Sequence, residues 1–361
     1  MSRIPGIFVI ARNSSFAYKG KSVNEREMGR ALGVKYLLEG SVRKAANRVR
    51  IGVVLVDAGA GAEMWTQRFD RPLSDIFAVQ DEIVNKVVTT VGLIFGLDNL
   101  RVPRLGSVGH PTKSLDAFDV FLRGLAYYIR QTRKDNEIAR DLFAQAIKLD
   151  ARFADAYALM AWTYGLNVWN QWSENPQADL GRAAELAHKA LSLDDSNSEA
   201  FCVLRLSGLI EGCPDQAVAD GERAIALNPN SADGYQALSG ALCNELRSTE
   251  CLKAAETSIR LNPAAQDFYS LMVGIADNQL GRYQQADGVL ERTLGAYPNN
   301  LTARLALATA YVELGRERDA HLQAAEITRL SPQFSIAAMP HFQNQRYYQQ
   351  FRSDLRRAGL K

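Results

Sequence analysis

Cysteine and histidine are both scarce in this 361-residue sequence, at four each. Cys202, Cys213, Cys243 and Cys251 form no Cys-x-x-Cys pair and have no nearby histidine at zinc spacing. They are expected to be free thiols buried on helices in a reducing compartment. His110, His188, His321 and His341 are scattered singly, so neither a metal centre nor a cofactor is expected. Long apolar runs are lacking too. The longest, Val87 to Leu97, is broken by two Thr and two Gly and falls well short of the roughly 20 residues of a membrane span. Met1 to Ile10 shows no long apolar core or small-residue cleavage site, so no leader is read there. Neither sign of charge dominates, with 42 Lys plus Arg against 40 Asp plus Glu. That balance argues against a polyanion binder, so nucleic acid is not an expected partner, and against an acidic disordered chain. No Gly-x-x-x-x-Gly-Lys-Ser/Thr phosphate loop occurs, and Gly59/Gly61 is an ordinary turn. Ser14-Ser15 and Asp57 lack a partnering histidine, so no catalytic residue is expected.

What is present is apolar material for sizeable cores, 47% of the residues, and a length that suits two or three units. The first 95 residues mix strand and helix patterns. Ile7 to Ile10 is a short apolar run that suits a buried strand, and Val23 to Leu32 reads as a helix closed by Gly33. Lys35 to Lys44, Arg48 to Asp57 and Ala62 to Phe69 then read as three antiparallel strands in a meander. Val49, Ile51 and Val53 lie on one side of the second, and Arg48 and Arg50 on the other. A helix from Ser74 to about Val91 should cover one face of that sheet. Asp98 to Ser114 holds two Pro, two Gly and three Ser or Thr without periodicity and reads as a linker.

Everything after the linker repeats. Pro229, Pro263, Pro298 and Pro332 are spaced by 34, 35 and 34 residues, each closing a helix of the same pattern. The corresponding earlier closing positions are Asp195 and Ala151. Twelve residues before each stand Ala139, Ala183, Ala217, Cys251, Ala286 and Ala320; eight before stand Phe143, Ala187, Gly221, Ala255, Leu290 and Ala324. Antiparallel helices approach closely only where facing residues are small, and proline stops the second helix. The pattern resembles the tetratricopeptide repeat. It implies about six helix pairs over residues 115–335 in a right-handed all-α solenoid, with a capping helix in 336–361. The second repeat carries an insert near 165–181, and the first has a stretched first helix.

The resemblance implies a groove for a protein or peptide partner along the first helices, with Trp162, Leu206, Asn244, Asn278 and Gln279 as candidate contacts. These residues could equally line a closed helical stack. The insert with Trp162, Trp169 and Trp172 could be a recognition element or simply packed aromatics. Arg43, Lys44, Arg48 and Arg50 form a candidate anion patch on the first hairpin, or a solvated face that discourages edge pairing.

Phe8-Val9-Ile10-Ala11-Arg12-Asn13-Ser14-Ser15-Phe16, Tyr36-Leu37-Leu38-Glu39-Gly40-Ser41-Val42-Arg43-Lys44 and Asp75-Ile76-Phe77-Ala78-Val79-Gln80-Asp81-Glu82 carry a second resemblance. Residues 1–95 are similar to the TolB-like amino-terminal domain of bacterial adenylate/guanylate cyclase-associated proteins. Leu115 to Gly124 and the Leu355 to Leu360 tail continue that likeness. The likeness implies a non-catalytic signalling module. It also implies that the first β-α unit and any cyclase or DNA-binding module would stand upstream of Met1. The sheet is then expected to expose an edge beside Ile7 to Ile10 and to self-associate or fray. A cytoplasmic location is expected, or a periplasmic one behind an upstream membrane span.

Overall fold

The computed structural model describes residues 7–94 except 22, 47 and 73–75, residues 112–338 except 131, 171 and 211–213, and residues 344–361. Most of the expected linker, 96–114, lies outside the described residues. The chain divides into two compact units, residues 1–111 with 262–264, and residues 112–261 with 265–361.

In the first unit, α1 (Arg12–Phe16) and α2 (Glu25–Leu32) precede β1 (Tyr36–Ala45), β2 (Arg48–Asp57) and β3 (Ala62–Pro72), and α3 (Ile76–Ile94) follows. Asn24 caps α2 through a bond from the Arg26 N–H, and Gly33 ends it at φ 64°, where a side chain would be strained. The sheet is antiparallel in the order β1-β2-β3. The Asp57 carboxylate makes the second turn by accepting from the N–H groups of Gly59 and Ala60, at 2.9 and 3.0 Å. Val53, Leu55 and Phe69 on one sheet face pack with Val87 and Val91 of α3, as the alternation requires. Leu37, Val56 and Ala58, toward one end of the other face, meet Met28 and Val34.

One expectation changes here. Ile7 to Ile10 belongs to no strand; Ile7 packs instead beside the α3-covered core, and the next residues turn into α1. Among the described residues no helix is long and apolar enough to cross a membrane.

The second unit consists of six helix pairs and a cap: α4 (Leu115–Tyr128) with α5 (Arg133–Leu149), α6 (Ala154–Trp169) with α7 (Pro176–Leu193), α8 (Ser198–Ile210) with α9 (Pro214–Leu227), α10 (Ala232–Asn244) with α11 (Ser248–Leu261), α12 (Gln266–Gln279) with α13 (Tyr283–Ala296), α14 (Leu301–Glu313) with α15 (Glu317–Leu330), then α16 (Gln345–Arg357). Ser114, Thr132, Asn175, Ser231 and Asn300 each cap a helix by accepting the N–H three residues on. The phase read from the prolines lands on the contacts. Ala139, Ala217, Cys251, Ala286 and Ala320 are 0% exposed and Ala183 2%, because each sits where its helix crosses its partner. α4 is 14 residues long, within the 13 to 16 of the other first helices. The extra length of the first repeat lies in α5, which has 17 residues against 14 in α9, α11, α13 and α15. The insert of the second repeat lengthens α6 and α7 to 16 and 18 residues.

Cys243 and Cys251 are bonded to each other across the α10–α11 turn, which corrects the expectation of free thiols. Tight pairing brings their Cα atoms to 5.3 Å although eight positions separate them in sequence. Cys202 is buried and not disulfide-bonded, as expected, and Cys213 lies outside the described residues.

The cap closes the apolar core with Leu355, Ala358 and Leu360. Asp354, 3% exposed, accepts from Gln350 Nε2 at 3.0 Å and Arg357 NH1 at 3.5 Å. Burial, reinforced by the Glu313 charge, pushes its carboxyl up to about 6. The folded cap therefore holds a proton that the unfolded chain, near 3.8, gives up, and α16 docks less firmly as pH rises from about 4 to about 6. Asp354→Asn keeps the polar contacts without the charge. It should match its parent at pH 4 and be the more stable at pH 7, by about 1–2 kcal/mol in thermal melts. Equal stability at both pH values would exclude a buried proton at this site.

Candidate partner-binding surface

The first helices of successive repeats pack on one another as well as on their own partners. α6 touches α8, α8 touches α10, α10 touches α12, α12 touches α14, and α14 touches α16. They form an inner layer, and the candidate partner contacts fall on it very unequally.

Trp162 on α6 is 8% exposed, and its Nε1–H has no partner. Leu206 lies on α8, its side chain outside the described residues. Asn244, at the C-terminal end of α10, is exposed. Asn278 is buried, its Nδ2 donating to Ala306 O at 2.6 Å and Thr309 Oγ1 at 3.3 Å on the next inner helix. Gln279 accepts from Ser248 Oγ at 2.7 Å and donates to Cys243 O at 2.8 Å, facing the preceding repeat. These two neighbouring side chains are thus used as ties between repeats. Of the insert tryptophans, Trp172 is half-buried, and the Trp169 side chain is outside the described residues.

A polar cluster that no spacing rule pointed to lies on the same layer. Tyr269 of α12 donates to Asp233 Oδ1 of α10 at 2.8 Å. Burial raises the Asp233 carboxyl against the effect of that bond. Tyr128 of α4 has its phenol pushed well up by burial and then by the charges of Asp233 and Glu199. Gln236, one turn along α10 from Asp233, keeps its Oε1 buried without a partner. Acidic residues at the start of an inner helix and tyrosines on neighbouring inner helices were visible in the sequence. Their convergence depends on how the repeats curl.

The hairpin patch resolves into two faces. Arg43, Arg50 and Asp70 are paired in line across the three strands, as are Ala45, Arg48 and Pro72, whereas Lys44 lines up with Val49 and Arg71. Strand alternation therefore puts Lys44 on the opposite face from the three arginines. Arg48 and Arg50 both engage Asp70, each at 2.7 Å. Bonds from Arg50 and then Arg48 draw the Asp70 carboxyl below its usual range. Among the described residues Arg43 has no ion-pair partner. Four clustered cations thus reduce to one free arginine, a shared acid pair and a lysine elsewhere.

A tetratricopeptide-repeat family model matches residues 278–339. A protein of Rhizobium meliloti (strain 1021) named "Putative adenylate cyclase 3" is 37% identical over 209 residues, which are 57% of this chain and 35% of that protein. The chain therefore spans about a third of the length of that curated relative. A thermophilic TPR protein of Thermus thermophilus has 23% identity and a TM-score of 0.39, over 50% of this chain and 92% of its own. The APC/C hetero-tetramer Cut9–Hcn1 has 16% identity and a TM-score of 0.49, over 67% of this chain and 43% of its own. Within the helical array, residues 278–339 carry the tetratricopeptide repeat.

Proposed function

We propose that the chain is a non-catalytic interaction module whose repeat array holds a protein or peptide partner against its inner helices, within a bacterial signalling system. The α+β unit is then a TolB-like regulatory or docking domain. The observation that carries this is the inner layer itself: each first helix packs on the next, α6 on α8, α8 on α10, α10 on α12 and α12 on α14, and Asn244 is exposed on it. An exposed side-chain amide on such a layer can both donate to and accept from the main chain of a bound segment.

Selection of a random peptide library on the full chain tests it. Selected peptides should lose binding on Asn244→Ala and Asn244→Arg and keep it on Arg43→Glu. Peptides indifferent to the inner-layer changes would overturn the groove.

The likeness to the Rhizobium meliloti relative supports a second reading, the regulatory part of a class III adenylate/guanylate cyclase. No cyclic nucleotide is expected from ATP or GTP with Mg²⁺ or Mn²⁺ and this chain, and steady formation would replace the first reading. The Cys243–Cys251 bond supports an oxidising compartment over the reducing one expected from cysteine spacing.

A further inference from the structure

The first sheet has two edges, and they are treated differently. β3 carries a bulge where the register skips Met64 and ends on Pro72, two devices that discourage another strand from adding. β1 has neither. Its ten residues pair with β2 without a break, and among the described residues no strand lies on its outer side. Every residue from Leu38 to Ala45 is exposed, including Leu38 at 44% and Val42 at 69% on the face whose centre α3 covers.

We propose that β1 pairs antiparallel with β1 of a second copy of this chain, Ser41 opposite Ser41, making one six-stranded sheet. The order of charges along β1 selects this partner. A two-fold axis normal to the sheet must pair residues of the same face, and centring it on Ser41 sets Glu39 of one protomer opposite Arg43 of its partner, twice. Glu39 and Arg43 have no ion-pair partner within the chain among the described residues, and the in-line neighbour of Arg43, Arg50, is already held by Asp70. On the other face Val42 stands opposite Gly40, so an exposed branched side chain lies against a residue with none, and the Lys44 stem lies along Leu38. Arg43 and Lys44 would repel most strands, but a copy of β1 supplies the matching acid.

The full chain should sediment at about twice 39.9 kDa. Glu39→Arg or Arg43→Glu alone puts like charges opposite each other at two places and should raise the dimerisation midpoint at least about tenfold. Mixing the two single variants should restore association, because each then offers the charge that the other lacks; so should the double variant E39R/R43E. Thermal melts of each variant check that it is folded. A monomeric parent at 100 µM would overturn the pairing. So would a dimer that ignores the single substitutions, or one that the mixture fails to restore.

Discussion

Gly221→Leu is expected to be the most damaging single substitution in the array, lowering its stability by about 3 kcal/mol or more. A Cβ at 221 would stand 2.9 Å from Leu238 Cα and 3.2 Å from its N. Both are backbone atoms of α10, so no change of rotamer relieves the clash. α9 and α10 would have to separate, exposing Ala217, Val218 and Leu238 of the largest apolar cluster. At Gly274 the added atom would instead meet the Leu290 side chain at 2.6 Å, and trimming that side chain can make room. Urea denaturation followed by circular dichroism should thus show Gly274→Ala rescued in part by Leu290→Val. No substitution at Leu238 should rescue Gly221→Leu. A Gly221→Leu chain that unfolds at its parent's midpoint would show that the helices are not in contact there.

The second large effect is electrostatic. Arg316 reaches Asp287 Oδ2 at 2.6 Å and Asp319 Oδ2 at 2.7 Å while lying over the Tyr311 ring, and Tyr311 donates to Glu291 at 2.7 Å. The Asp287 side chain is only 7% exposed. Burial, with Glu291 adding to it, already raises the Asp287 carboxyl against the pull of Arg316. Arg316→Met leaves that carboxylate buried with no cation, at a cost of about 2–3 kcal/mol at pH 8. Losing the arginine raises the Asp287 carboxyl further above its unfolded value. The folded variant therefore takes up a proton that the unfolded chain does not, and the deficit shrinks on acidification toward pH 5. Arg316→Met combined with Asp287→Leu should recover most of the stability. Melting temperatures of the three chains at pH 8 and pH 5 decide it, and a deficit independent of pH would mean that Arg316 acts through packing alone.

The repeat array was legible because its two signals are local and periodic. Proline marks the end of each helix pair, and a small residue marks each crossing, so Ala139 and Ala286 could be placed in the core without knowing what they touch. The meander was legible for the same reason, through Val49, Ile51 and Val53. The sites were less so. Asn278 and Gln279 stand where a groove residue should, but an amide also satisfies backbone carbonyls of an adjacent repeat, and here that use wins. Tyr269 and Asp233 meet only through the stacking angle between repeats, which no spacing records. Two misreadings had a signal. Lys44 differs from Arg43 by one step in a period of two, and Cys251 occupies a crossing position facing the end of its own partner helix, where Cys243 lies.

α10 has a peculiarity whose consequence concerns how the array assembles. Apart from Asp233, Tyr235 and the terminal Asn244, all its residues are buried. A helix enclosed in this way needs small side chains, and its composition, with Gly234, Ser239 and Gly240 in the body, supplies them at the expense of intrinsic helix propensity. Alone in water such a segment would rarely form a turn. Nucleation is therefore left to flanking pairs with stronger helix formers, such as α5 or α15. Order is expected to reach α10 after those pairs, as they close on it from either side, so that the middle of the array waits on its ends.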